Sequence, residues 1–198
     1  MIGLKRGTVQ VISYQPAWKE FFEEEAARLR SALGNYFPQI EHVGSTAIEG
    51  MDAKPIIDII VSVKSIDNAK ELVPLVEALG YKYKEEDNVP ERIFFVKGPS
   101  SRRAHHLSLT ELTTGYWKAH ILFRDYLLTH PEAVEKYKRL KRELAEQYPE
   151  DRGAYRAGKQ EFTEKILQLA RSKYINPAAL CWSRHVHCAC FDCACGPA

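Results

Sequence analysis

Cysteine is absent from residues 1–174. A body without thiols folds without disulfides or thiolate metal sites, as expected in a reducing compartment. Long apolar runs are missing too, and none approaches the ~18 residues that a membrane-spanning helix needs. The opening stretch, Met1 to Gly7, lacks the apolar core of a secretory leader. There is no large excess of one charge either. The formal net charge is +2, too small by itself to indicate a nucleic-acid partner. These absences leave a cytoplasmic protein, with neither membrane nor nucleic acid as partner, as the expectation.

What is present suits one globular domain: 198 residues, 45% hydrophobic and 27% charged, with no internal repeat and no long linker before Tyr174. Residues 16–33 read as an amphipathic helix. Trp18, Phe21, Phe22, Ala26, Leu29 and Leu33 lie near one face, Pro16 in the first turn and Gly34 at the stop. The run Glu23-Glu24-Glu25 reads as its solvated side. Strands are predicted over 39–43, 56–64, 81–84, 92–97 and 104–110. Helices are predicted over 66–79, 114–129, 131–148 and 152–173, the last capped by Asp151. The class is α+β: a small mixed β-sheet with helices on one side and a helical C-terminal third.

Residues 42–61 carry the most chemistry. Gly44, Ser45 and Thr46 form a small-residue turn between two strands. Glycine and hydroxyl side chains there let a phosphate approach the backbone closely. In the strand 56–64, Ile57, Ile59, Val61 and Val63 share one face, while Ile56, Asp58, Ile60 and Ser62 share the other. Asp58 is thus a lone acid in an apolar strand, and a carboxylate taken out of water needs a cation, a metal or several donors. It either serves a ligand or is held by the Ser45 hydroxyl and the turn amides. Lys54, extended because Pro55 follows, either neutralises a phosphate or pairs with Asp58. In the strand 104–110, His106, Ser108 and Thr110 alternate with His105, Leu107 and Leu109. His106 therefore falls on the polar face and His105 on the apolar one.

A Gly-Ser turn followed by an acidic strand resembles the nucleotidyltransferase-fold signature. The words His42-Val-Gly-Ser-Thr-Ala47, Lys54-Pro-Ile-Ile-Asp58, Phe123-Arg-Asp-Tyr-Leu127 and Tyr155-Arg-Ala-Gly-Lys159 are similar, in order, to those of the GrpB family of small bacterial proteins. The resemblance covers residues 5–174. It implies a nucleotidyltransferase-like fold binding a nucleoside triphosphate or another phosphorylated small molecule. It further implies a divalent ion, Mg²⁺ or Mn²⁺, held by Asp58 with His106. His106 could equally act as a base near neutral pH or be a hydrogen-bonded structural residue. The phosphate contacts implied are Gly44, Ser45, Thr46, Lys54, Arg124 and Lys159, with Arg124 also placed to pair with Asp125. Ile60 stands where the signature has a second acid. Two functions stay open: metal-dependent nucleotidyl transfer to a small acceptor, or an inactive nucleotide-binding or folding-accessory module. The latter would be akin to the domain fused behind dephospho-CoA kinase in some bacteria.

Composition breaks after Tyr174, so the expected domain is 1–174 and residues 175–198 form a separate tail. All five cysteines (Cys181, Cys188, Cys190, Cys193, Cys195) lie in it, beside His185 and His187. Their density suits a soft metal such as Zn²⁺ or Cu⁺, but the abrupt break favours an irregular, non-native or accessory extension.

Overall fold

The computed structural model describes residues 2–37 and 39–175, so the Cys- and His-rich stretch beyond Ile175 lies outside the described residues. Helix α1, Ala17–Leu33, buries Trp18, Phe22, Ala26, Leu29 and Leu33. Their spacing of three or four residues stacks them along one stripe. All five expected strands form: β1 Ile40–Val43, β2 Ile57–Ser62, β3 Tyr81–Tyr83, β4 Ile93–Lys97 and β5 His105–Thr110. They make one mixed sheet in the order β1-β2-β5-β4-β3. The central β2–β5 pair is parallel and the other pairs are antiparallel.

Period-2 alternation divides the two central strands cleanly between the sheet's faces. Ile57, Ile59 and Val61, with Phe95, Leu107 and Leu109, meet the α1 stripe together with Leu72 and Val76 in the principal core. Each such burial contributes about 1.5–3 kcal/mol. The opposite face presents Asp58 and Ile60 beside His106 and Ser108. Helix α3, Gly115–Leu128, closes one part of that face by packing Trp117 on Val43 and Ile60. The helical third continues with α4 Pro131–Gln147, α5 Arg152–Gly158 and α6 Gln160–Ile175.

Three local expectations are corrected. The helix expected over 66–79 is a 3₁₀ turn at Asn68–Leu72 followed by a short α2, Val73–Ala78. Pro74 sits in the first turn of α2, where its missing N–H ends any α-helical ladder arriving from upstream. The helix expected over 152–173 breaks at Lys159 into α5 and α6. Gly158 lies so close to α4 that a Cβ would come within 2.5 Å of Leu144 Cδ2. Asp151 does cap α5, its carboxylate accepting from the Ala154 amide at 3.0 Å.

The third correction concerns Glu25, which is 3% exposed rather than part of a solvated side. Lys97 Nζ of β4 donates to both its carboxylate oxygens, at 2.7 and 2.9 Å, and lies 5.1 Å from the centre of the Tyr81 ring. The pair clamps α1 onto the sheet. Among the described residues no helix is long and apolar enough to cross a membrane.

Removing one partner of a buried ion pair strands the other charge, a cost of about 3–5 kcal/mol. Lys97→Met should therefore lower unfolding stability in urea by about 3 kcal/mol. The double variant Glu25→Leu/Lys97→Met should recover most of that loss, because an apolar pair of similar volume leaves no uncompensated charge.

Candidate active site

Parallel pairing of β2 with β5 sets Asp58 directly opposite His106. The imidazole Nδ1–H donates to Asp58 Oδ1 at 2.8 Å. The Asp58 side chain keeps 41% exposure while His106 keeps 19%, so the carboxylate is the member that faces the cleft. Burial alone would raise the Asp58 pKa. The hydrogen bond and positive character of His106, with Lys54 and His120 nearby, outweigh burial and hold it below the ordinary Asp value.

Gly44 fits behind this carboxylate. Its φ of +72° is a conformation that side chains oppose, and a Cβ there would lie 2.6 Å from Asp58 Oδ2. The glycine thus makes room for the carboxylate itself. Ser45 lines the cleft beside it. Burial pushes the Tyr137 phenol up to about 12, against the pull of hydrogen bonds to Thr163 and Ser45. Thr46 instead holds the backbone: its buried hydroxyl donates to the Ile56 carbonyl at 3.3 Å and accepts from His42 Nε2 at 3.0 Å. That side chain locks the turn onto β2. His42 stacks on Phe22, and burial holds its pKa down at about 4, so it stays neutral at pH 7.

Lys54 and Lys159 both reach the cleft and sit over the same ring, 5.2 and 4.6 Å from the centre of buried Tyr155. Burial lowers each to a pKa of about 8. Arg152 and Arg156 push Lys54 further down, Lys54 and Arg156 do the same to Lys159, and Asp58 pulls both back up. Arg124 is placed elsewhere. Its guanidinium donates to Glu41, Asp125 and the His42 carbonyl at 2.8–2.9 Å, outside the cleft lining. The expected pairing with Asp125 forms, and it ties α3 to β1.

The whole cleft has a volume of about 840 Å³ and lies between the polar face of the sheet and the helical third. Ten lysine and arginine side chains line it against three acidic ones, Asp58, Glu86 and Asp87. Several of these residues were not singled out in the sequence. Lys141 is 1% exposed, bonded to the Asp52 carbonyl and stacked over Tyr137. His120 donates from Nδ1 to the Tyr116 carbonyl at 2.8 Å, and burial lowers its pKa. Tyr116 also bonds Ser108 at 3.2 Å and lies under the Arg92 guanidinium. Lys141 falls on the apolar stripe of α4, between Tyr137 and Leu144, and a cation in such a stripe was the available signal.

The residues fit a resident metal poorly. Among the described residues no three His, Cys, Asp or Glu side chains are grouped to hold an ion. Ile60, at the second acidic position, is 1% exposed and packed against Trp117. That site belongs to the core, so Asp58 has no second carboxylate beside it.

Gly44→Ala should cost about 2 kcal/mol in unfolding stability, from a strained backbone and a displaced Asp58. Comparing its urea unfolding with that of Gly50→Ala checks this. Position 50 also has positive φ, but a Cβ there meets nothing, so the difference between the variants isolates the clash with Asp58.

Known proteins place this geometry in context. A UPF0157 protein of Pseudomonas aeruginosa is 40% identical over 85% of this chain and 70% of its own length. The UPF0157 protein YqkA of Bacillus subtilis is 39% identical over 82% of the chain, which spans only 47% of that relative. The crystal structure of conserved protein GrpB from Enterococcus faecalis superposes with a TM-score of 0.77 at 36% identity, covering 84% of this chain and all of that one. The family model described as GrpB protein matches residues 8–169, and the chain belongs to the GrpB family.

Proposed function

We propose that the cleft binds a nucleoside triphosphate or a similar polyphosphorylated small molecule, with Lys54 and Lys159 contacting its phosphates beside the Gly44–Ser45 turn. The observation that carries this is charge. A chain of net charge +2 concentrates ten cations against three acids in one cavity. The cations there disfavour one another, and a polyanion would relieve that repulsion while accepting charge-assisted hydrogen bonds. A cavity of about 840 Å³ also lies within the usual range for small-molecule sites.

Asp58 is the group that would meet a divalent ion. With no acid at position 60, that ion would arrive with the ligand, its remaining positions filled by phosphate oxygens and water. This single carboxylate, with Ile60 built into the core, favours a second reading in which the nucleotide is bound and not turned over. In the transfer reading, an acceptor hydroxyl or amine would attack the α-phosphate beside the Asp58–His106 pair and release pyrophosphate, with positioning and charge neutralisation supplying the catalysis.

Calorimetric titration of the four nucleoside triphosphates, with Mg²⁺ or Mn²⁺, tests binding. The variant Lys54→Gln/Lys159→Gln should bind at least about tenfold more weakly, since each charge-assisted bond contributes about 1.5–3 kcal/mol. Deprotonation removes the charge from these amines, so wild-type affinity should fall as pH rises through about 8 while the glutamine variant stays flat. Equal affinity in wild type and variant would contradict the binding site. Pyrophosphate release that Asp58→Ala abolishes would support transfer; tight binding without release supports the inactive module.

A further inference from the structure

Adjacent residues of β4, Phe94 and Phe95, are turned to opposite faces of the sheet. Phe95 is fully buried in the principal core. Phe94 is part-exposed and lines the cleft. Strand register fixes its place there. Phe94 lies in one row with Ser108 of β5 and Ile60 of β2, while Asp58 lies in the adjacent row of that face with His106 and Val96. Lys54 precedes β2, on the other side of the Asp58 row. Strand β4 is also two strands over from β2, a distance of about 10 Å. Phe94 and Lys54 thus flank Asp58 from opposite sides within one cleft.

Other flat side chains gather at Phe94. The Arg92 guanidinium lies 4.6 Å from the centre of its ring and 5.4 Å from that of Tyr116, at the start of α3, within cation–π reach of both. The His120 ring lies 4.2 Å from the Tyr116 ring, and all four side chains line the cleft. Glu91 holds the corner together. Its carboxylate accepts from the Tyr116 and Gly115 amides at 2.7 and 3.4 Å, which ties the start of α3 to the segment before β4. Arg92 keeps unused donors. Its guanidinium donates to the Tyr116 hydroxyl at 3.4 Å and to the Asp87 carbonyl, while its buried Nε has no partner. Among the described residues it pairs with no carboxylate.

We infer that the corner formed by Arg92, Phe94 and Tyr116 takes a flat heteroaromatic ring, the base of a nucleotide whose phosphates lie at Lys54 and Lys159. Part-exposed aromatic rings stack on any base, and a guanidinium adds a flat surface with donors for a ring nitrogen or carbonyl oxygen. The inference rests on the proposed function for the phosphates. It narrows the ligand from any polyphosphorylated small molecule to a nucleotide.

Calorimetry separates ring from phosphates by comparing inorganic triphosphate with UTP and GTP, all with Mg²⁺. Wild type should bind at least one of the nucleotides about tenfold more tightly than triphosphate, the usual contribution of one stacked base. Phe94→Leu and Arg92→Lys each preserve net charge but remove the aromatic face or the flat fork. Each should cut the nucleotide's advantage to about threefold or less, with triphosphate affinity and melting midpoint unchanged. Nucleotides that bind wild type no more tightly than triphosphate would overturn the subsite, and that comparison needs no variant to fold. An advantage that survives both substitutions, or equal weakening of both probes, would overturn it as well. If neither triphosphate nor nucleotide binds wild type, the phosphate reading has failed, and free uridine and guanosine test the corner alone. Saturation transfer to their ring protons in wild type that Phe94→Leu abolishes supports the subsite; its absence in wild type, or its survival in the variant, overturns it.

Discussion

A carboxylate has to remain ionised in a half-enclosed cleft, and the hydrogen bond from His106 to Asp58 is what keeps it so. Desolvation opposes the charged form. The opposing pull comes from a donor fixed by strand register, with two further basic groups, Lys54 and His120, adding to it. The rest of the site is arranged around that constraint. Gly44 yields its side-chain space to Oδ2, and Thr46 holds the turn so that the space stays open.

The sheet accomplishes this by giving its two faces opposite roles. One is an apolar surface sealed by α1, with the Glu25–Lys97 pair as the clamp. The other is only partly covered, and the helical third stands over it with basic side chains turned inward. The break between α5 and α6 matters for this. Close approach of Gly158 to α4 ends one helix and starts the next at Gln160, and Lys159 at the junction reaches the cleft above Tyr155. The basic side chains of the cleft are thereby mounted on elements whose positions are set by packing.

Much of this was legible in the sequence because strand alternation is strict. With a period of two, Asp58 and His106 had to occupy corresponding faces once both strands were placed. The Gly-Ser turn, Lys54 and Lys159 came with the family's words, and the fold class with the element order. Other features were hidden for physical reasons. Glu25 lay within an acidic run that looked solvated, although it sits seven residues after Trp18 on the buried stripe. The parallel adjacency of β2 and β5, and the gathering of ten basic side chains around one cleft, are products of tertiary packing between segments far apart in the chain. Arg124 belongs to a family word for a structural reason, tying α3 to β1, and no local pattern separates that role from ligand contact.

Positive charge around Asp58 is matched, on this view of the cleft, by a bound polyphosphate. A crystal structure of the chain with a non-hydrolysable nucleoside triphosphate analogue examines that pairing head-on. Phosphate oxygens should lie within hydrogen-bond distance of Lys54 and Lys159, next to Gly44 and Ser45, with Asp58 facing them. Phosphates bound away from this cleft, or a cleft that stays unchanged at saturating analogue, would refute it.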